Sequence, residues 1–212
     1  MTYIVCAWHT PEYRTFADTL RRSLVSAGAR HDIIETACLS GGWERNTRRK
    51  ASFAREFMSR YPDLTIVQID ADCVVAGTHA EIEGISNISG DLGVRSRIAI
   101  SRFRPRPKYW LMSGTLVFKP TDGARALVDA WSTFEDDSPR FATDQDSLLR
   151  AVASVPNATV SFLPAAACAT ASDLKMGVKP IFQHFSGAPV RHKATRMEHL
   201  VCGLRDLMGR CA

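Results

Sequence analysis

The stretch Ile66-Val67-Gln68-Ile69-Asp70-Ala71-Asp72-Cys73-Val74-Val75 carries the strongest chemical signal in the chain. Two carboxylates one residue apart project to the same side of an extended backbone. The apolar run before them fixes where they sit. An all-oxygen pair of this kind suits Mg2+ or Mn2+, which takes its other ligands from water and substrate phosphates. The triplet recurs as Asp144-Gln145-Asp146, where Thr143 and Asp146 also fit a helix capping box. One carboxylate pair holds a cation weakly, and His184, in Pro180-Ile181-Phe182-Gln183-His184-Phe185-Ser186-Gly187, is a candidate third ligand. Spacing alone favours a satisfied core histidine.

The elements that must carry these residues follow from the hydrophobic pattern. Tyr3 to Trp8 reads as a buried strand. Thr10-Pro11 reads as a helix start, Thr at the N-cap and Pro at N1. Tyr13, Phe16, Leu20 and Leu24 continue it, and Gly28 ends it. Asp32 to Cys38 is a second strand and Gly41-Gly42 a turn. Asn46 to Tyr61 is a helix stopped by Pro62, with Asn46 able to serve as its N-cap. Leu64 to Ile69 is a third strand. The strand–helix alternation predicts parallel strands joined by crossover helices. Ligands of such sheets bind beyond the carboxyl ends of the strands, which places Trp8-His9-Thr10 and Asp70-Ala71-Asp72 in one crevice. Further on, Asp91 to Arg95, Leu116 to Phe118, Ala158 to Leu163 and Pro180 to His184 read as strands. Thr121 to Phe134, Thr143 to Ala153 and Met197 to Met208 read as helices, and Ser101 to Tyr109 as an extended, Pro- and Arg-rich loop.

Composition narrows the class. The chain has 212 residues, 45% hydrophobic and 23% charged, which is globular and neither disordered nor fibrous. No apolar run is long enough to span a bilayer. The first residues lack a basic stretch followed by an apolar signal core, so the expectation is a cytoplasmic protein, or one of the host cytoplasm if phage-encoded. The six cysteines form no C-x-x-C pair, which favours buried free thiols over disulfides or zinc. Between Leu92 and Thr121 lie seven basic residues and no acid: Arg95, Arg97, Arg102, Arg104, Arg106, Lys108 and Lys119. The net charge of +5 falls to −2 once those seven are set aside.

The motifs together resemble a GT-A-fold glycosyltransferase that uses a nucleotide-diphosphate sugar. The resemblance rests on the opening strand with Thr10-Pro11, Trp43-Glu44-Arg45-Asn46 with Lys50, and the strand-borne D-x-D. It continues through Ser113-Gly114-Thr115-Leu116-Val117-Phe118, Thr143-Asp144-Gln145-Asp146-Ser147 and His184-Phe185-Ser186-Gly187. It implies an α/β fold, a central mostly parallel sheet flanked by helices, over residues 1–212. Residues 1–75 would form the nucleotide-sugar half, 76–190 the acceptor-side half and 191–212 a tail or helix. It implies Mn2+ or Mg2+ on Asp70, Asp72 and His184, the histidine being a feature of retaining members. Thr10, Asn46, Lys50, Ala71, Ser113, Gly114, Gly187 and Lys193 would bind the nucleotide-sugar, a UDP-sugar being favoured. Arg191 competes with Lys193 for the diphosphate. Asp144, Gln145 and Asp146 would face the donor sugar as catalytic groups.

The basic segment falls on the acceptor side in that scheme. Arg102, Arg104, Arg106 and Trp110 are therefore candidate acceptor contacts, beside the plainer reading of a solvated charged loop. Clustered arginines neutralise phosphates and aromatics stack on bases, so nucleic acid such as hydroxymethylated DNA fits, as does a phosphorylated glycan. Two alternatives use the same residues differently. A haloacid-dehalogenase-type phosphatase would make Asp70 the nucleophile and Asp72 the acid/base, though that motif ordinarily sits on a first strand. A non-catalytic nucleic-acid-binding module would account for the arginines and leave Asp70, Asp72 and His184 idle.

Overall fold

A computed structural model of the chain describes residues 2–39, 46–101, 104–136 and 143–185. Trp43, Arg102, Gly187, Arg191, Lys193 and the expected helix at Met197 to Met208 lie outside them. The described residues build a six-stranded sheet of order β2-β1-β3-β6-β5-β7. Its strands are β1 (Tyr3–His9), β2 (His31–Glu35), β3 (Thr65–Ile69), β5 (Leu92–Ser101), β6 (Arg104–Phe118) and β7 (Val160–Phe162). The pairs β1–β2, β1–β3 and β5–β7 are parallel. The pairs β3–β6 and β5–β6 are antiparallel. A separate antiparallel pair joins β4 (Cys73–Val75) to β8 (Phe182–His184).

Helices cover both faces, which explains the unbroken apolar runs in the central strands. Neighbouring residues of one strand enter different cores. Ile4 and Cys6 of β1 and Ile66 of β3 pack with α2 (Lys50–Arg60), α4 (Asp122–Asp136) and α5 (Asp144–Ser154), through Phe53, Phe57, Leu127, Trp131 and Leu148. Tyr3, Val5, Val67 and Ile69 pack on the other side with α1 (Arg14–Ser26) and α3 (His79–Ser86), through Leu20, Leu24, Ile82 and Ile85. Gly28, at φ +65°, follows α1 in the left-handed conformation that ends helices cheaply. Cys6, Cys73 and Cys168 are buried thiols, and Cys38 is exposed.

Several local expectations change. Ser101 and residues 104–109 are strand, in a β-hairpin, rather than loop: Ala99 pairs with Lys108 and Ser101 with Arg104. Pro105 and Pro107 fall within the register shift between those pairs, where a missing N–H costs the ladder least. Arg95 is not part of a free basic surface. It is buried, with its guanidinium on Asp173 of α6 (Ala171–Lys175) by two hydrogen bonds of 2.6 and 2.7 Å and on the Cys168 carbonyl at 2.6 Å. Asn46 does not cap the following helix. Arg49 takes that place, while the Asn46 amide accepts from Leu39 N at 2.9 Å and donates to Leu39 O at 3.0 Å. Thr10 precedes a 3-10 turn, Pro11–Tyr13, and makes no side-chain cap. The sequence reading missed α3, although Thr78 and Glu81 announce it as a capping box.

Candidate functional site

The carboxyl ends of β1 and β3 open on a cavity of about 150 Å³. It is lined by Trp8, His9, Thr10 and Tyr13, by Asn46, Thr47 and Lys50, by Asp70, Ala71 and Asp72, by Ser113, and by Asp144 and Gln145. These come from separated stretches of chain. Topology alone explains the first and third groups, since parallel neighbours end side by side. The D-x-D itself differs from expectation in one respect. β3 ends at Ile69, and Ala71 and Asp72 form a turn before β4, so a turn rather than strand alternation brings both carboxylates to the cavity.

Ser113 arrives by a β-bulge. Pairing between β5 and β6 passes from Val94–Leu116 to Arg95–Met112, leaving Ser113, Gly114 and Thr115 extra on β6. Thr115 pairs with Ile69, and Asp70 N donates to Gly114 O at 3.0 Å. Bulges of this kind re-aim side chains next to functional sites. Asp144 is delivered by the first turn of α5, and Lys50 is the first residue of α2.

The polar centre of the cavity is Lys50. Its Nζ lies 2.7 Å from Asp70 Oδ1 and 2.8 Å from Asp144 Oδ2, and 3.2 Å from Ser113 Oγ. Ser113 Oγ donates to Asp144 Oδ2 at 2.5 Å. Below it, Gln68 Nε2 donates to the Lys50 carbonyl at 3.1 Å. Burial alone would pull the ammonium down, but Asp144 and Asp70 outweigh it and hold Lys50 above its ordinary value. Lys50 is therefore a fixed cation across the whole physiological range.

His184 is brought next to the D-x-D by the pairing of β8 with β4, which sets Cys73 opposite His184, and Phe185 N donates to Asp72 O at 2.8 Å. Its Nε2 is 2.8 Å from Thr115 Oγ1. A Cβ at Gly114 would meet the ring at 3.1 Å, so glycine there leaves room for the imidazole. Burial pushes the imidazole down to about 4, against the pull of Asp70, so it is neutral at pH 7. Among the described residues no three His, Cys, Asp or Glu side chains gather at metal-ligand spacing.

Of the other expected residues, Gly114 is outside the cavity lining, its carbonyl taken by Asp70 N, and Asp146 is turned to the helix cap. Asp146 Oδ2 accepts from Thr143 N at 3.1 Å and Thr143 Oγ1 at 2.8 Å. Trp110 sits on β6 opposite Arg97 and away from the cavity lining. Arg104 and Arg106 lie on the same strand. Tyr13 and Thr47 line the cavity without having been singled out. Tyr13 stood in the helical apolar pattern, which hides a cavity-facing aromatic among core residues. Trp8 stacks on Phe53, ring centroids 4.5 Å apart, with Arg49 5.5 Å from its centre.

The lining presents three carboxylates, Asp70, Asp72 and Asp144, against one ammonium, Lys50. An anion such as a diphosphate meets net repulsion there unless a cation accompanies it. Oxygen donors of this type are what Mg2+ and Mn2+ take, and they need only one or two carboxylates when phosphates supply the rest. The donor set thus fits such an ion.

No protein-family model matches the chain, and no curated protein matches it. Solved structures do. One is a glycosyltransferase involved in glycosylation of the major capsid of PBCV-1, with TM-score 0.67 and 12% identity over 88% of this chain and 94% of that one. Another is the galactosyltransferase LgtC, seen with donor and acceptor sugar analogues, with TM-score 0.55 and 10% identity over 87% of each chain. A third is GlyE of Streptococcus pneumoniae, with TM-score 0.55 and 14% identity over 88% of this chain but 55% of that one. In its central sheet and the helices on both faces, this chain has the GT-A-type fold of these glycosyltransferases.

Proposed function

We propose that the protein is an enzyme that transfers a sugar from a nucleotide-diphosphate sugar, a UDP-sugar first among them, to an acceptor hydroxyl. The observation that carries this reading is the convergence of Thr10, Asn46, Lys50, Asp70, Asp72, Ser113, Asp144 and Gln145 on one cavity. Asp70 and Asp72 would hold Mn2+ or Mg2+, which neutralises the diphosphate and makes it a competent leaving group. His184 is the third ligand that the resemblance implies; it bonds Thr115 Oγ1 at 2.8 Å and does not stand at metal-ligand spacing from the two carboxylates, so ligation would require it to turn toward them.

The chain's own groups do the rest. Lys50 places a permanent positive charge where the leaving diphosphate gains negative charge, in a largely buried setting that strengthens the interaction. Asp144 is buried and accepts from both Lys50 and Ser113, which holds its side chain oriented. It can stabilise positive charge developing at the anomeric carbon, with Gln145 beside it as a hydrogen-bonding partner for sugar hydroxyls. Trp8 and Tyr13 offer flat apolar faces at the Thr10 end, suited to the nucleotide base. The resemblance through His184-Phe185-Ser186-Gly187 favours retention of configuration.

The acceptor reading is an anionic molecule, hydroxymethylated DNA or a phosphorylated glycan. It is supported by five basic residues and no acid from Ser96 to Trp110, of which Arg104, Arg106 and Lys108 lie on β6, the strand that leads into Ser113. A thermal-shift panel of nucleotide-sugars, each with and without Mn2+, tests the donor. Stabilisation by one sugar nucleotide that depends on Mn2+ and disappears in Asp72→Ala is the expected result. Stabilisation by none of them, or release of phosphate from simple phosphomonoesters, would overturn it.

A further inference from the structure

Trp131 and Glu135 lie one helical turn apart on α4, and neither lines the cavity. Residues at i and i+4 share a helix face. From that face the two side chains reach the two elements that deliver the cavity's charges. Trp131 Nε1 donates to the Asp144 carbonyl at 3.1 Å and to Ser147 Oγ at 3.1 Å, in the first turn of α5. Glu135 Oε2 accepts from Ala51 N at 3.2 Å, in the first turn of α2 and next to Lys50. Both side chains are buried, at 0% and 5% exposure, so each bond forms away from competing water. The Trp131 ring is also held against Phe118, 6.5 Å between centroids.

We propose that α4 is a brace for the donor site, with Trp131 and Glu135 as positioning residues that set the distance between Lys50 and Asp144. The inference rests on the donor-site reading of that ion pair. Its physical content is that one rigid helix fixes two separate helix starts. The first N–H groups of a helix have no partner within it, and a carboxylate placed there also complements the helix dipole. Glu135 does this for α2, and the neighbouring Lys50 is thereby held in register. Trp131 fixes the carbonyl of Asp144 itself. A shift of either helix start moves one member of a 2.8 Å ion pair relative to the other, and small misplacements in such a site are costly.

The test compares Glu135→Ala, Glu135→Gln and Trp131→Phe with the wild type in the full chain. Two quantities are read: the donor KM and kcat, and the NMR signal of the Lys50 side-chain ammonium, visible only while ion pairs slow its exchange. Glu135→Ala and Trp131→Phe are expected to lose the ammonium signal and lower kcat about tenfold, with donor KM changed less. Glu135→Gln, which keeps an acceptor for Ala51 N–H, is expected to stay near wild type. If Glu135→Ala does not fold, Trp131→Phe decides, since it keeps an aromatic ring in the core. An unchanged ammonium signal and unchanged kcat in the folded variants would overturn the brace. A wild type that is stabilised by no nucleotide-sugar would sink the donor reading instead, while the ammonium signal would still judge the brace.

Discussion

Lys50 and Arg95 are both basic residues at 8% exposure, and both are held by carboxylates, yet the charges around them add differently. Arg95 meets one partner, Asp173, in a bidentate pair whose side chains are 10% and 1% exposed. The pair is matched in charge and closed to solvent. It also ties β5 to the start of α6, since Asp173 caps that helix through Thr170 N at 2.8 Å. Lys50 meets two partners, and one of them, Asp70, keeps 32% of its side chain exposed to the cavity. That cluster carries surplus negative charge and an open face. A matched, closed pair is a fastening, whereas an unmatched, open one is a site prepared for a further charge.

The comparison breaks first if Arg95 proves dispensable. Arg95→Leu leaves Asp173 as an uncompensated buried charge and is expected to cost about 3–5 kcal/mol of stability by denaturant unfolding. Folded molecules of the variant should bind donor as the wild type does. A variant of undiminished stability would show that the pair fastens nothing. The same pair has a pH signature. Hydrogen bonds from Arg95 hold the Asp173 carboxyl well below the ordinary carboxylate range, against the opposing effect of burial. Its contribution is thus complete above an unfolded pKa of about 3.9 and lost only as pH falls through the lower folded value. The stability gap between wild type and Asp173→Asn should be constant from pH 7 to about pH 5 and close only in stronger acid.

At the open cluster the large effect falls on turnover. Asp72→Asn is expected to lower turnover about 10²- to 10³-fold, the usual scale for losing an electrostatic contact in a reacting site, with the circular dichroism spectrum unchanged. Full turnover in that variant would remove the metal role. Lys50→Met sharpens the contrast further. It strands Asp144 and Asp70 together and is expected to cost about 2–3 kcal/mol, less than Arg95→Leu because water reaches Asp70. Millimolar Mn2+ should recover part of that loss in Lys50→Met and none of it in Arg95→Leu, read as melting temperature. Equal responses of the two variants would erase the distinction between the clusters.

How much of this could be read from residues alone divides along the same line. The parallel half was legible because β1 and β3 are continuous apolar runs and their helices carry local start and stop signals, such as Gly28 after α1. Lys50, Asp70 and Asp144 were legible as residue types in a recognisable order. Their mutual contact was not, because it depends on the bulge at Ser113 and on α4, which span long sequence separations. Arg95 was misread for the same reason. In a run of seven basic residues nothing local marks the one whose carboxylate partner is 78 positions away. The hairpin was missed because Pro105 and Pro107 read as loop residues, while their tolerance at a register shift is visible only with the partner strand in place.

The smallest expected effect separates two carboxylates of a single helical turn. Asp144 is 4% exposed, accepts from Lys50 and Ser113, and lines the cavity. Asp146 accepts instead from the backbone and hydroxyl of Thr143. Had both belonged to the reacting centre, truncating either would stop turnover. The contacts place the two carboxylates differently, Asp144 at the cavity and Asp146 at the cap. Asp146→Ala removes a reciprocal cap and should cost about 1 kcal/mol, a fall of roughly 2–4 °C in melting temperature, with kcat unchanged. Asp144→Asn should leave α5 capped and lower kcat more than about tenfold, because Lys50 and Ser113 then face a neutral amide. An Asp146→Ala variant with wild-type melting and abolished turnover would move Asp146 from the cap into the chemistry.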